Sequence, residues 1–148
     1  MMPDKNNDPH NLSRFVEAQS QSYDRALAEI RRGHKTSHWI WYIFPQIQGL
    51  GFSANSERYA IKSLAEARAY LAHPVLGPRL IACFEALLSH KHKSADAIFG
   101  YPDTVKVRSS ATLFALVSPP GSVFHQVLDR YFESQPDQAT LERISHDR

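Results

Sequence analysis

Apolar side chains recur along most of this chain at intervals of three and four, the spacing that lines one face of a helix. Leu12, Phe15 and Val16, with Gln19, begin the pattern, and Tyr23, Ala26, Leu27 and Ile30 continue it to Gly33, which offers a left-handed C-cap. Two short helices or one bent helix both fit. Asp8-Pro9 predicts the start, a capping carboxylate followed by proline at the first helical position. The run from His38 to Pro45 is apolar on every side, so periodicity cannot separate a buried strand from a buried helical turn; Ser37 ahead of it, as a cap, favours helix. After the loop glycines Gly49 and Gly51, Arg58, Tyr59 and Ile61 suggest a short helix. Ser63-Leu64-Ala65-Glu66 is a capping-box pattern opening a helix through Leu71, which His73-Pro74 stops.

The stripe Leu80, Ile81, Phe84, Leu87, Leu88 predicts a helix ending near His90-Lys91-His92-Lys93. Ser94 can cap a short helix closed by Gly100, and Pro102-Asp103 starts one reaching about Val117. Ser118-Pro119-Pro120-Gly121 is a breaker, Val123 to Tyr131 forms another helix, and a last one begins at Asp137. With no internal repeat, low-complexity tract or hairpin signal, the pattern predicts an all-α fold: a compact single-domain bundle of seven to nine short helices over residues 8–144. Residues 1–7 and 145–148 are read as a disordered N-terminal tail and a C-terminal tail.

A chain of 148 residues can bury a core without metals or disulfides. The 17 Lys plus Arg against 15 Asp plus Glu leave a net charge of +2, too little for a large field. With no clear basic recognition helix either, nucleic acid is an unlikely partner. The single Cys83 allows no internal disulfide and fits a reducing compartment; between Leu80 and Leu87 it reads as a small buried hydrophobe. The apolar runs are too short to cross a bilayer, and the N-terminus lacks a signal peptide's basic start and apolar middle. The expectation is a soluble, cytoplasmic protein that does not engage membranes.

Several chemical motifs fail on spacing. Gly33-His34-Lys35-Thr36 lacks the first glycine of a phosphate loop, and His34 separates its glycine from its lysine. His34 and His38 stand four apart, but Lys35 occupies the place of a zinc-protease glutamate; His90 and His92 sit among lysines in a solvated loop. No Gly-x-Ser-x-Gly elbow is present. No metal site and no cofactor are expected. On the helix from Asp103, the carboxylate of Asp103, the amine of Lys106 and the hydroxyl of Ser110 fall within an arc of about 60°. Either they form part of a site, or Asp103 caps, Lys106 snorkels and Ser110 bonds the carbonyl four residues back. The aromatic run offers the same choice. Trp39, Trp41, Tyr42 and Phe44 are core by default, yet Lys35, Ser37, His38 and Gln46 beside them could line a pocket where a planar ligand stacks.

The stretch Gly33 to Gln46 (Gly-His-Lys-Thr-Ser-His-Trp-Ile-Trp-Tyr-Ile-Phe-Pro-Gln) resembles the signature of the bacterial domain of unknown function 1810 family, some of whose members carry the label calpastatin. Glu66 to Leu71, His73 to Leu80, Ile98 to Gly100, Ser109 to Phe114 and Val127 to Phe132 resemble the same family, so the likeness covers roughly residues 8 to 144. Ile40 and Ala111 depart from it, each standing where methionine is frequent, and both swaps leave the polar positions intact. The resemblance implies a mainly helical single domain. It marks Lys35, His38, Trp39, Trp41, Gln46, Asp103, Lys106, Ser109 and Ser110 as shared polar and aromatic positions. The label calpastatin is not read as a function.

The resulting expectation is a site for a nucleotide or an ADP-ribose-like small molecule. Trp39 or Trp41 stacks on the base, and Lys35, Lys106 and His38 meet phosphate or ribose oxygens, with Gln46, Ser109 and Ser110 completing the ligand-binding set. If the site is hydrolytic, His38 and Asp103 are the candidate catalytic acid and base. A layout analogy to N-glycosidases acting on ADP-ribose-type compounds points the same way. The other reading is a non-enzymatic adaptor whose aromatic surface binds a protein partner or a second copy of the chain. Both readings require the segment 35–46 and the helix from Asp103 to pack together.

Overall fold

Asp8 organises the start of the described chain, but not from the position the pattern predicts. Its carboxylate accepts hydrogen bonds from the amides of Leu12 (2.6 Å) and Ser13 (3.1 Å). Asn11 adopts a left-handed φ of 51°, which no helix continues through, so α1 spans Ser13–Gln19 instead of beginning at Pro9. The structure, a computed structural model, describes residues 8–146; the expected tail 1–7 and residues 147–148 lie outside these.

Turn residues 20–22 separate α1 from α2 (Tyr23–Arg32), which ends on Gly33 at φ +79°. There follow α3 (Ile40–Ile43), α4 (Ala54–Arg58), α5 (Leu64–Ala72), α6 (Leu76–Leu88), α7 (Ala95–Phe99), α8 (Asp103–Leu116), α9 (Val123–Tyr131) and α10 (Gln138–His146). The fold is all-α, with ten helices and no strand among the described residues. Seven to nine helices were expected from the pattern. One-turn pieces such as α3 and α4, four and five residues long, are too short to display a period.

Two local expectations are displaced. Ser37 does not cap α3, because its hydroxyl and amide are both taken by Glu29. The short helix expected around Arg58 to Ile61 lies earlier, since Ser53 caps α4 through the Ser56 amide while Ile61 pairs with Ile47 in an isolated parallel bridge. At the other end, α10 runs to His146, so the boundary expected at 144 falls inside a helix.

Residues 107–115 of α8, Arg108 excepted, are buried, and α3, α5, α7, α9 and α10 all pack on this helix. Edge-on aromatic contacts run through the centre, from Phe99 to Phe44, Phe44 to Phe84 and Phe84 to Phe124. Helices α5 and α6 meet at 90°, and this elbow needs Gly77: a Cβ there would lie 2.1 Å from the Leu71 carbonyl oxygen. Gly77→Ala should therefore destabilise the fold by about 2–3 kcal/mol, because the obstacle is backbone. A lower urea midpoint at an unchanged slope is the expected reading.

The bridge between Ile47 and Ile61 closes an Ω-shaped loop, residues 48–60, that carries α4. Arg14 clamps its far limb. The guanidinium donates to the carbonyls of Arg58 and Ala60 (2.8 Å each) and pairs with the buried Glu66 carboxylate at 2.7 Å. Arg143 Nε holds the near limb through the Gln48 carbonyl.

Candidate functional site

The loop that carries the aromatic run is shaped by a residue absent from the expected set. Glu29 lies on the apolar stripe of α2 between Ala26 and Ile30 and is buried. Its Oε1 accepts from the amides of Thr36 (2.7 Å) and Ser37 (2.9 Å) and from the Trp39 indole (3.0 Å); its Oε2 accepts from the Ser37 hydroxyl (2.7 Å). Burial pushes the carboxyl pKa up. The Ser37 hydroxyl, the two amides and the indole outweigh it and hold the value at about 2. The chain from 36 to 39 is thereby wound around one carboxylate, and Trp39 is drawn fully into the core.

The same winding aims Lys35 at α8. Its Nζ donates to the Ser37 carbonyl (2.6 Å), forms an ion pair with Asp103 Oδ2 (2.7 Å) and lies 4.9 Å from the centroid of the Trp39 ring. The Lys35 amide donates to the Ile98 carbonyl, tying this loop to α7. Asp103 Oδ1 faces Lys106 Nζ at 3.8 Å, so one carboxylate stands between two ammonium groups. Lys106 lies 5.4 Å from the centroid of the half-buried Trp41 ring. Trp41, Gln46, Ser56, Tyr59 and Lys106 line a narrow cleft at the seam of α3 and α8, with α4 as its outer wall. Its volume is about 10 Å³, room for about one water.

The structure thus unites Lys35, Asp103, Lys106, Trp41 and Gln46 along one seam. Trp39 supports it from the core. His38 is exposed and makes no hydrogen bond or ion pair among the described residues. The serines of α8 divide. Ser109 donates to the Val105 carbonyl (3.1 Å) in the back-bonding pattern, whereas Ser110, fully buried one turn beyond Lys106, leaves its hydroxyl without a hydrogen bond. Such an orphan costs about 1–3 kcal/mol and is uncommon in cores.

Cys83 is buried, and burial pushes its thiol up to about 12, as a packing role demands. Among the described residues no three His, Cys, Asp or Glu side chains gather as a metal-holding cluster. No single described helix is long and apolar enough to cross a membrane. Larger hollows lie elsewhere, among them a polar one of about 420 Å³ lined by Arg14, Glu17, Glu57, Arg58 and Lys62. An apolar groove of about 570 Å³ runs between α6 and residues 118–126, and another of about 270 Å³ lies between α8, α9 and α10; neither includes an expected site residue.

Glu29, Arg14 and Glu66, which hold the walls of the site in place, were missing from the expected set. The signal for Glu29 was present, since a carboxylate on an apolar stripe must find donors if that stripe is buried. Glu66 was visible only as the glutamate of a capping box, and nothing local to Arg14 or Glu66 marks the other as its partner, 52 residues away.

No curated protein matches the chain. A solved structure does: the conserved hypothetical protein Rv1873 from Mycobacterium tuberculosis is 42% identical, with 93% of this chain and 99% of that chain covered at a TM-score of 0.91. The family described as Protein of unknown function (DUF1810) matches residues 9–144, and the chain belongs to it.

Proposed function

We propose that the seam of α3 and α8 binds a small anionic ligand of nucleotide or ADP-ribose type, with Trp41 as its aromatic face and Lys106 as its cationic donor. The observation that carries this reading is the Lys106 ammonium, held 5.4 Å from the Trp41 ring beside Gln46 and Tyr59. The side chains of Gln46 and Tyr59 make no protein hydrogen bond among the described residues. An adenine-like ring and a phosphate need those two kinds of surface together. Lys35 has a different part, holding Asp103 in place from behind. Hydrolysis at this site would use Asp103 for proton transfer.

Admission of such a ligand requires the loop 48–60 to move outward, because the cleft as it stands holds about one water. The tip of the loop, between the limbs that Arg143 and Arg14 hold, is suited to that: α4 has no buried residue, and Phe52 is 87% exposed. An adaptor surface made by the aromatic run has less support, since Trp39 is buried and Trp41 and Tyr42 are half-buried.

A thermal-shift panel of AMP, ADP, ATP, NAD, ADP-ribose and ribose phosphates tests the reading. A true ligand at 100 times its Kd should add about 2.7 kcal/mol, or about 5–10 °C in Tm. Lys106→Ala should weaken that ligand at least about tenfold while the protein stays folded. Folded protein that shifts with no member of the panel would sink the proposal.

A further inference from the structure

The sequence carries two basic runs, Arg31-Arg32-Gly33-His34-Lys35 and His90-Lys91-His92-Lys93, and the fold lays the second on the first. The His90 ring makes a hydrogen bond through Nε2 with the Ile30 carbonyl (2.6 Å), and Lys93 Nζ donates to the Gly33 carbonyl (3.1 Å). The fit is close: a Cβ on Gly33 would lie 2.9 Å from Lys93 Cδ and 3.0 Å from His90 Cε1.

Capping the C-terminal carbonyls of α2 accounts for His90 and Lys93. It does not account for Arg31 and Lys91, which are exposed and make no hydrogen bond or ion pair among the described residues. Arg32 has only the Thr36 hydroxyl, at 3.3 Å. His34 and His92 are exposed beside them. Of the acidic groups in the flanking segments, Glu29 is buried and saturated by four donors, Asp103 is engaged by Lys35 and Lys106, and Asp96 is a single exposed carboxylate on α7. The whole chain has 17 basic against 15 acidic residues, so gathering Arg31, Arg32, Lys91 and Lys93 at one place leaves the remainder net acidic. A modest net charge therefore conceals a lopsided field that orients an approaching polyanion.

An exposed aromatic ring follows in the segment that adjoins the first basic run. The Ile98 carbonyl accepts the Lys35 amide, so the chain beyond α7 runs beside the first basic segment, and Tyr101, three residues on, is 84% exposed. An array of cations with a free aromatic face is what a single strand of nucleic acid recognises, phosphates on the first and an unstacked base on the second. We propose that this surface, built from residues 31–34, 90–93 and Tyr101, binds single-stranded nucleic acid. Trp41, Gln46 and Lys106 take no part, so the proposal stands or falls apart from the cleft.

Fluorescence anisotropy with the full chain and a labelled RNA strand of roughly 12 nucleotides, set beside a duplex of the same length, decides it. Four phosphate contacts predict that log Kd rises with log salt at a slope of about 3 between about 50 and 200 mM. The double variant Arg31→Glu/Lys91→Glu should bind at least about tenfold more weakly and lose about 1.4 from that slope. Tyr101→Ala should weaken the single strand about fivefold or more at an unchanged slope, and leave the duplex unaffected. None of the three side chains is buried or hydrogen-bonded, so circular dichroism and Tm should match the parent. The proposal is overturned by no binding at the lowest salt, by a charge reversal that changes neither affinity nor slope, or by a Tyr101 variant that binds the single strand as the parent does.

Discussion

Replacing Arg14 by alanine should cost the fold about 3–5 kcal/mol, because it leaves the Glu66 carboxylate buried without its cation. The pair is enclosed, with the two side chains 10% and 1% exposed at 2.7 Å, so the low value typical of surface ion pairs does not apply. The guanidinium also donates to four carbonyls, those of His10, Asn11, Arg58 and Ala60, and lies 4.3 Å over the Phe15 ring. One side chain thus fastens the start of the described chain to the far limb of the loop 48–60. Lysine is no substitute, since it lacks the planar fork that serves carbonyls and carboxylate together. For a chain of this length the loss corresponds to a fall in Tm of about 10 °C or more. Arg14→Met/Glu66→Leu should recover part of it, as apolar replacement removes the stranded charge together with its partner. The recovery stays partial because Glu66 Oε1 also accepts the Lys62 amide. Urea unfolding of Arg14→Met, Glu66→Leu and the double variant closes the cycle; a coupling below about 1 kcal/mol would show that the pair is not the clamp.

Acid should unfold the protein in a way traceable to Glu29. Its carboxyl titrates at about 2 when folded, against 4.5 for the free group. A folded pKa below the unfolded one contributes stability that is fully present above pH 4.5 and is lost as the pH falls toward 2. The difference amounts to about 3 kcal/mol. Asp8, held below its ordinary value by the amides of Ser13 and Leu12 against the opposing effect of burial, adds to the loss with the same sign. Glu29→Gln should be less stable than the parent by about 3 kcal/mol at pH 7, because its amide NH2 faces donors where the carboxylate accepted from them. Near pH 2 the difference should nearly vanish. Urea midpoints for both proteins from pH 7 to 2 provide the measurement; parallel curves would mean that Glu29 is not the titrating group.

These two residues also mark the limits of reading the chain alone. Caps written within four residues were legible: Ser63, Ser94 and Asp137 receive the amides of Glu66, Ala97 and Thr140, and Gly33 adopts the left-handed turn. The buried character of α8 was legible from its run of small and apolar residues, and with it the need for an apolar partner. The sequence could therefore point to the meeting of segment 35–46 with the start of α8, which the Lys35–Asp103 pair realises. It could not say which polar groups would be consumed inside that contact. Trp39 and Trp41 carry the same local signal, yet one is drawn into the core by Glu29 and the other lies under Lys106 at the cleft.

By itself the sequence determined the helical class, most helix ends and the two segments that form the seam, because those follow from periodicity and from hydrogen bonds spanning a turn. Only the tertiary structure decided the rest. A carboxylate on an apolar stripe becomes an anchor when a loop returns to wrap it, and an arginine becomes a clamp when distant carbonyls converge on it. Two dilute basic runs become a charged surface when they meet at the end of α2. Each of these depends on groups brought together through space by the burial of apolar faces, and the Coulomb and hydrogen-bond energies involved act only within a few ångströms, whatever the separation along the chain.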